Sequence, residues 1–287
     1  MNYRHSYHAG NFADVLKHAI LARVLTYMKL KPQPFRVIDT HAGAGRYDLA
    51  GIEASKTGEW RDGIARLLES DIRADVAGLL APYLDAVAAV NPPRDAESAL
   101  SFYPGSPLIA RYLMRVGDVL VANELHPEDA ALLKAELKRA PDSKVMALDA
   151  WLAIKSLLPP PERRGVILID PPFEQTDEFS KLKEAVANGL QRFANGVYVI
   201  WYPVKNREAA DRLVEEVCSL GCRKVLDVRL AISAPFAGLG LTETGVLILN
   251  PPFSLRAELE VILPAIVACL AQGRGANFNM REPFGAA

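Results

Sequence analysis

The feature that most constrains this chain is a series of short apolar runs that alternate with stretches of helical periodicity. Strands are predicted at residues 35–39, 118–124, 144–149, 165–170, 197–202, 224–232 and 245–250. Helices are predicted at residues 14–28, 127–139, 150–158 and 179–193, the first of them amphipathic. This alternation favours an α/β fold with a parallel, doubly wound sheet, and the continuous apolar character of the strands predicts burial on both faces.

One stretch breaks the alternation. Residues 48–100 carry apolar side chains at helical spacing and contain no strand-like run. We therefore predict a helical insertion at residues 48–100 in a main domain formed by residues 1–47 and 101–287. Residues 233–244 are predicted to be a mobile loop near the functional site.

Composition excludes several classes of protein. Half of the residues are hydrophobic, which suffices for a full core and excludes a disordered or low-complexity chain. No apolar run reaches the roughly 18 residues of a membrane helix, and the polar N-terminus is unlike a signal peptide. The three cysteines cannot all pair, which favours a reduced, cytoplasmic compartment. No exposed apolar stripe stands out, so a monomer is expected.

The formal net charge of −1 hides an asymmetry along the chain. Residues 1–46 hold seven basic and two acidic side chains, whereas residues 48–100 hold five basic and ten acidic ones. A basic face that meets phosphate is one interpretation, and ordinary variation of surface charge is the other.

A glycine-rich turn, DTHAGAG, follows the first predicted strand. Gly43 and Gly45 have no Cβ, so the backbone of such a turn can approach a bound cofactor closely. A third glycine of the dinucleotide fingerprint is absent, and a plain structural turn stays open as an interpretation.

Acidic residues end the next two strands. Glu124 follows the second strand, where a carboxylate typically binds ribose hydroxyls. Asp149 follows the third, where a carboxylate can accept a hydrogen bond from an adenine amino group. Either acid alone could instead cap a helix. In this order after a glycine-rich turn, the two favour S-adenosylmethionine over a nicotinamide cofactor.

The tetrapeptide Asp170-Pro-Pro-Phe173 ends the fourth strand. An adenine amino group is a poor nucleophile because its lone pair is delocalised into the ring. The Asp170 carboxylate and the Pro171 carbonyl can accept its two N–H groups and free that lone pair, while Phe173 stacks on a base taken out of its helix. A proline-terminated strand without catalytic function is the alternative interpretation.

A second tetrapeptide, Asn250-Pro-Pro-Phe253, competes for the same role. It follows the last strand of the main series, and no glycine-rich turn lies a suitable distance before it. We therefore interpret Asn250 as a strand terminus and Asp170 as the catalytic position.

Four of the five histidines lie within the first 41 residues. Their spacing matches no common metal-ligand pattern, so no metal is predicted. Nearby, Tyr3, Arg4 and Lys17 are candidates to contact nucleic-acid phosphates or to stack on bases.

Several blocks of this sequence resemble one family. The chain is similar to the bacterial 23S ribosomal RNA adenine-N6 methyltransferase J family. The resemblance rests on these blocks: YRHSYHAGNFADVLKH at 3–18, DTHAGAGRY at 39–47, YPGSPLIAR at 103–111, NELHP at 123–127, LIDPPFE at 168–174, WYPV at 201–204 and LNPPF at 249–253.

The resemblance implies a Rossmann-like, S-adenosylmethionine-dependent methyltransferase sheet with a small helical insertion. It implies N6-methylation of adenine 2030 in protein-free or partly assembled 23S ribosomal RNA. Family positions that bind the cofactor match His18, His41, Ser106, Glu124, Asp149 and Ala150.

The resemblance also places Asp170 as the catalytic acid and Tyr3 as an aromatic contact to RNA. The chain departs from the family at two of its positions. Phe173 stands where the family usually has tyrosine, and Ala150 stands where it usually has glycine.

Three alternatives stay open. The same tetrapeptide serves DNA adenine-N6 methyltransferases, so the choice of RNA depends on the resemblance alone. An RNA-binding protein of this fold without catalysis and a nicotinamide oxidoreductase are the others.

Overall fold

The computed structural model describes residues 4–92, 100–175, 177–235 and 240–283. Tyr3, predicted to contact RNA, lies outside these ranges, as do residues 236–239 of the predicted 233–244 loop. No helix of the described residues is long and apolar enough to span a bilayer.

Ten strands are found in the described ranges. They are β1 (Arg36–Asp39), β2 (Arg46–Asp48), β3 (Phe102–Pro104), β4 (Val119–Asn123), β5 (Ser143–Met146), β6 (Gly165–Ile169), β7 (Val197–Pro203), β8 (Val225–Ala231), β9 (Glu243–Leu249) and β10 (Asn277–Arg281). Eight of them form one sheet in the order β10-β8-β9-β7-β6-β1-β4-β5, and β2 pairs with β3 in a separate ribbon.

The sheet is parallel on one side and antiparallel on the other. Strands β1, β4, β5, β6 and β7 run in the same direction, as predicted. Strand β9 pairs antiparallel with both β7 and β8, and β10 pairs antiparallel with β8. The predicted α/β class is therefore confirmed, whereas a wholly parallel sheet is wrong.

Helices cover both faces of this sheet. They are α1 (Phe12–Met28), α2 (Ile52–Thr57), α3 (Arg66–Glu69), α4 (Ala74–Ala89), α5 (Ser106–Leu113), α6 (Pro127–Leu137), α7 (Ala150–Leu157), α8 (Glu178–Arg192), α9 (Arg207–Cys218) and α10 (Leu255–Leu270). One hydrophobic cluster joins the sheet to α1, α4, α5, α6 and α10, and a second joins the opposite face to α7, α8 and α9. Burial on both faces explains the continuous apolar runs of the strands.

Helix α1 differs from the amphipathic helix predicted at 14–28. Fifteen of its seventeen residues are buried, including the charged residues Asp14 and Lys17. Its N-terminus is capped by the Asn11 side chain, which accepts hydrogen bonds from the backbone of Ala13 and Asp14. A helix buried on nearly all sides must supply internal partners for its charged side chains.

The described part of the 48–100 stretch is mostly helical, although Asp48 ends strand β2. It holds α2, a π turn at Arg61–Ala65, α3 and α4. The apolar side of α4, with Leu80 and Tyr83, lies in the same hydrophobic cluster as α1 and α10. The division of the chain at residues 48 and 100 stays a prediction.

Candidate active site

The carboxyl ends of β1, β4 and β6 meet at one edge of the sheet because these strands are parallel neighbours. This catalytic edge carries the glycine-rich turn after β1, Glu124 after β4 and Asp170 after β6. Two clefts open there, of about 220 and 740 Å³. His5, Lys17, Asp170 and Pro172 line both clefts, so Asp170 lies at their boundary.

The glycine-rich turn requires glycine at both predicted positions. Gly43 has φ +61° and Gly45 has φ +84°, in the left-handed region that favours glycine. A Cβ on Gly43 would lie 2.0 Å from the Tyr47 hydroxyl oxygen, and one on Gly45 would lie 2.9 Å from a Leu133 methyl carbon. The turn is thus shaped by close contacts as well as by conformation.

Glu124 connects the glycine-rich turn to the turn that follows β4. Its Oε2 accepts a hydrogen bond from the Gly43 backbone N–H at 2.8 Å, and its Oε1 accepts one from the His126 N–H at 2.7 Å. Burial raises the pKa of the Glu124 carboxyl above its ordinary value. The carboxylate lines the smaller cleft, where its remaining lone pairs can accept hydrogen bonds from a ligand.

Asp149 caps a helix and also lies at the smaller cleft. Its Oδ1 accepts hydrogen bonds from the Trp151 and Leu152 N–H groups, both at 3.0 Å, and so caps helix α7. The residue is exposed and lines the smaller cleft together with Ala150, the first residue of that helix. A helix cap therefore does not exclude a contact to a ligand.

Asp39 is a buried acid that the sequence reasoning did not assign to the site. The Ser106 hydroxyl donates a 2.6 Å hydrogen bond to its Oδ2. Burial raises the pKa of Asp39 to about 7, although this hydrogen bond opposes the rise. The signal was present, because Asp39 ends a strand as Glu124, Asp149 and Asp170 do.

His18 and His41, which the resemblance predicts to bind the cofactor, both line the smaller cleft. Burial lowers the pKa of His18 to about 3 and that of His41 to about 4, so both rings are neutral near pH 7. His18 Nδ1 lies 2.6 Å from the Tyr103 hydroxyl, while its buried Nε2 has no hydrogen-bond partner. Such an orphaned ring nitrogen is available to a ligand.

Lys17 was predicted to contact phosphate, but its side chain is buried inside the protein. Its side chain is only 4% exposed, and its Nζ lies 2.8 Å from Asp14 Oδ1 and donates a short hydrogen bond to Asp170 Oδ2. Burial alone would lower the pKa of Lys17, but the charges of Asp14 and Asp170 outweigh burial and raise it. Lys17 is therefore an internal cation that holds the Asp170 carboxylate.

Two other predicted residues also find internal partners. Arg4 forms an ion pair with Glu128, at the start of α6. Phe173, at φ +49°, packs its ring against Phe179 and Trp201 at centroid distances of 5.0 and 5.6 Å, and it lines neither cleft. Stacking of Phe173 on a substrate base is therefore not supported by its position.

Asn250 lies at the opposite edge of the sheet. Since β9 is antiparallel to β7, its carboxyl end is beside the amino end of β7, away from Asp170. The Asn250 Nδ2 donates 2.8 Å hydrogen bonds to the Ala194 and Gly196 carbonyls. This supports its interpretation as a strand terminus. Among the described residues, no group of three or more His, Cys, Asp or Glu is arranged to hold a metal ion.

A family model described as "Ribosomal RNA large subunit methyltransferase D, RlmJ" matches residues 32–280 of the chain. The chain belongs to this ribosomal RNA methyltransferase family. The predicted resemblance and the predicted enzyme class are therefore confirmed.

Individual members of the methyltransferase family match over nearly the whole chain. Ribosomal RNA large subunit methyltransferase J of Escherichia coli is 41% identical over 264 residues, covering 92% of both proteins. The protein of the same name from Haemophilus influenzae is 39% identical over 277 residues, covering 96% of both. A crystal structure of a Legionella pneumophila protein matches with a TM-score of 0.85 at 30% identity, covering 96% of this chain and 98% of that one.

Proposed function

We propose that this chain transfers a methyl group from S-adenosylmethionine to N6 of adenine 2030 in 23S ribosomal RNA. The observation that carries the proposal is the position of Asp170 at the boundary of two clefts. A transfer between two bound molecules needs one site for each, with the reacting atoms at their junction. The names of the relatives supply the class of substrate.

The smaller cleft fits S-adenosylmethionine. Its donors and acceptors match a zwitterionic nucleoside: carboxylates at Glu124 and Asp149, the Ser106 hydroxyl and the orphaned His18 Nε2. The turn at Gly43 and Gly45 leaves room for a close approach of the backbone. When bound, the cofactor supplies an electrophilic methyl group.

Asp170, at the boundary, and its neighbour Pro171, which lines neither cleft, hold the acceptor nitrogen. The Asp170 carboxylate and the Pro171 carbonyl accept the two N–H groups of the adenine amino group, which draws its lone pair out of the ring. Lys17 fixes the carboxylate, since it bonds Asp170 from one side and Asp14 from the other. The larger cleft receives the base, which leaves its helix to reach Asp170.

The remaining features of the proposal follow from the family and the sequence. The partner is 23S ribosomal RNA, protein-free or partly assembled, and the enzyme acts as a cytoplasmic monomer.

The test is methyl transfer from labelled S-adenosylmethionine to unmodified, protein-free 23S ribosomal RNA, beside duplex DNA. Mass spectrometry identifies the modified nucleoside and its position. The Asp170→Ala variant is expected to bind the cofactor in calorimetry but to lose methylation. Asp75→Ala, an exposed aspartate of α4, is the matched control and should keep it.

Three results would contradict the proposal. Label on DNA alone would retain the site and change the substrate. Unchanged turnover in Asp170→Ala would remove the catalytic assignment. No binding of S-adenosylmethionine would leave a protein that binds RNA without catalysis.

A further inference from the structure

The catalytic edge has few free cations to attract a polyanion. Most arginines in the basic first 46 residues are paired internally, among them Arg23 with Glu258, Arg36 with Glu162 and Arg46 with Glu136. The larger cleft is lined by four carboxylates and two lysines, and one of those lysines, Lys17, is already bound to two carboxylates. Phosphate groups of a long RNA therefore need a cationic surface elsewhere on the molecule.

Such a surface is found at the opposite edge of the sheet, around Asn250-Pro-Pro-Phe253, the tetrapeptide to which the proposed reaction assigns no role. The Asn250 side chain binds the carbonyls of Ala194 and Gly196, and its backbone N–H donates a 2.8 Å hydrogen bond to the Lys224 carbonyl. These bonds join the loops that precede β7 and β8 to the turn after β9. Four exposed residues lie in or next to these segments, and we name them the opposite-edge patch: Arg192, Arg223, Lys224 and Phe253.

The patch presents an aromatic ring among exposed cations. Phe253 is 94% exposed. The two prolines before it have fixed φ angles, so its ring stands at the end of a stiff turn. Arg192, Arg223 and Lys224 are exposed as well. Within the described ranges none of these three cations forms an ion pair.

We propose that the opposite-edge patch is a second RNA-binding surface, in addition to the catalytic clefts. Phe253 stacks on an unpaired base, and the three cations neutralise phosphates of the same strand. Stacking aromatics among basic side chains are the usual means of binding single-stranded segments. This inference rests on the proposed function, since it takes RNA as the substrate.

The distance between the two edges determines which RNA uses the patch. Strand β7 spans seven residues, so the catalytic edge and the patch are separated by roughly 20 Å. A folded large-subunit RNA can reach both surfaces, whereas a hairpin with a stem shorter than about six base pairs, at about 3.4 Å per pair, cannot. The patch should therefore affect binding of large RNA and leave the reaction with a short hairpin unchanged.

The experiment compares wild type with two variants, Phe253→Ala and the triple change Arg192→Ser, Arg223→Ser and Lys224→Ser. The control is a triple change to serine at Lys134, Lys138 and Arg139, which are exposed cations at the end of α6. Dissociation constants for protein-free 23S ribosomal RNA are measured over a range of salt concentrations. Methyl transfer to a short hairpin with the target adenine reports the state of the catalytic site.

The proposal predicts that Phe253→Ala binds the large RNA about tenfold more weakly. The triple variant should lower the slope of log affinity against log salt by about 2 to 3, one increment for each lost phosphate contact. Turnover of the hairpin, the unfolding temperature and the binding of the control variant should match wild type.

Wild-type affinity for the large RNA in both patch variants would overturn the inference. So would an equal loss of affinity in the control, because the effect would then be one of overall charge. The dissociation constants can be measured whether or not the protein methylates RNA, so the two proposals are tested separately. A wild type that binds large RNA through the patch but methylates no RNA would refute the proposed function alone.

Discussion

Replacing Lys17 by methionine tests how the boundary carboxylate is held. Lys17 is buried between Asp14, at 2.8 Å, and Asp170. Methionine keeps most of the apolar stem but removes the charge, and it leaves two carboxylates close together without a cation. Removing one partner of a buried ion pair costs about 3–5 kcal/mol of unfolding free energy. For a chain of this length that corresponds to a drop of about 5–8 °C in unfolding temperature.

The effect should depend on pH in a defined direction. Burial alone would raise the pKa of Asp14, but the charges of His5 and Lys17 outweigh burial and hold it well below its ordinary value. A carboxylate with a depressed pKa stabilises the folded state above its unfolded pKa, near 4, and this stability is lost as the pH falls further. The difference between wild type and Lys17→Met should therefore be largest near pH 7 and shrink below about pH 4.

Thermal unfolding followed by circular dichroism at pH 7 and below pH 4 measures both effects. Lys205→Met is the matched control, because Lys205 lines the same larger cleft but is exposed and should change stability little. Equal unfolding temperatures for Lys17→Met and wild type at pH 7 would refute the reasoning. A difference that does not change with pH would also refute it, since the lost interaction would then not be one between charges.

Three further changes probe the rest of the fold and site. Gly43→Ala places a Cβ 2.0 Å from the Tyr47 hydroxyl oxygen at φ +61°, so it should cost at least about 2 kcal/mol and weaken S-adenosylmethionine binding in calorimetry. Its control is Gly78→Ala in α4, where nothing lies within 4 Å and a gain of up to about 1 kcal/mol is expected. Burial raises the pKa of Asp39 to about 7, so the folded state keeps a proton that the unfolded state releases above pH 4. Wild-type stability to urea should therefore fall from pH 4 to pH 7 more than that of Asp39→Asn, and parallel curves would contradict this. Asn250→Ala loses hydrogen bonds to two carbonyls and puts alanine at φ +53°, so the free energy of unfolding in urea should fall by about 2–4 kcal/mol. A smaller loss would show that these hydrogen bonds do not hold the turn.

The strands of the core were predictable because their chemistry is uniform. Strands β6 and β7 are buried on both faces, so almost every residue in them is apolar. Strand β10 was missed because it lies at the sheet edge, where its residues alternate between exposed and half-buried and include two asparagines. The antiparallel direction of β9 has no local signal, since direction is set by how the chain returns across the sheet.

The candidate site was predictable where its residues follow strands. Glu124, Asp149 and Asp170 each come directly after an apolar run, and parallel strands bring such positions together. Lys17 was misinterpreted because a lysine in a helix is normally exposed. The signal that could have corrected this is the rest of α1, whose apolar residues leave no polar face on which a lysine would meet solvent. The packing of Phe173 against Phe179 and Trp201 gave no signal, because a contact between ring side chains depends on how the loop after β6 folds back on itself and on β7.

The distribution of charge explains why the net value of −1 is compatible with an RNA substrate. Carboxylates are concentrated at the catalytic edge because the proposed reaction needs acceptors for ribose hydroxyls and amino groups there. The same carboxylates repel phosphate, so a cationic surface cannot occupy that edge without neutralising them, as Lys17 does for Asp14 and Asp170. A chain that binds a polyanion and also keeps an acidic site must place its free cations elsewhere. The exposed arginines and lysine around Phe253 meet that requirement, whereas the basic residues near the N-terminus are largely paired within the fold.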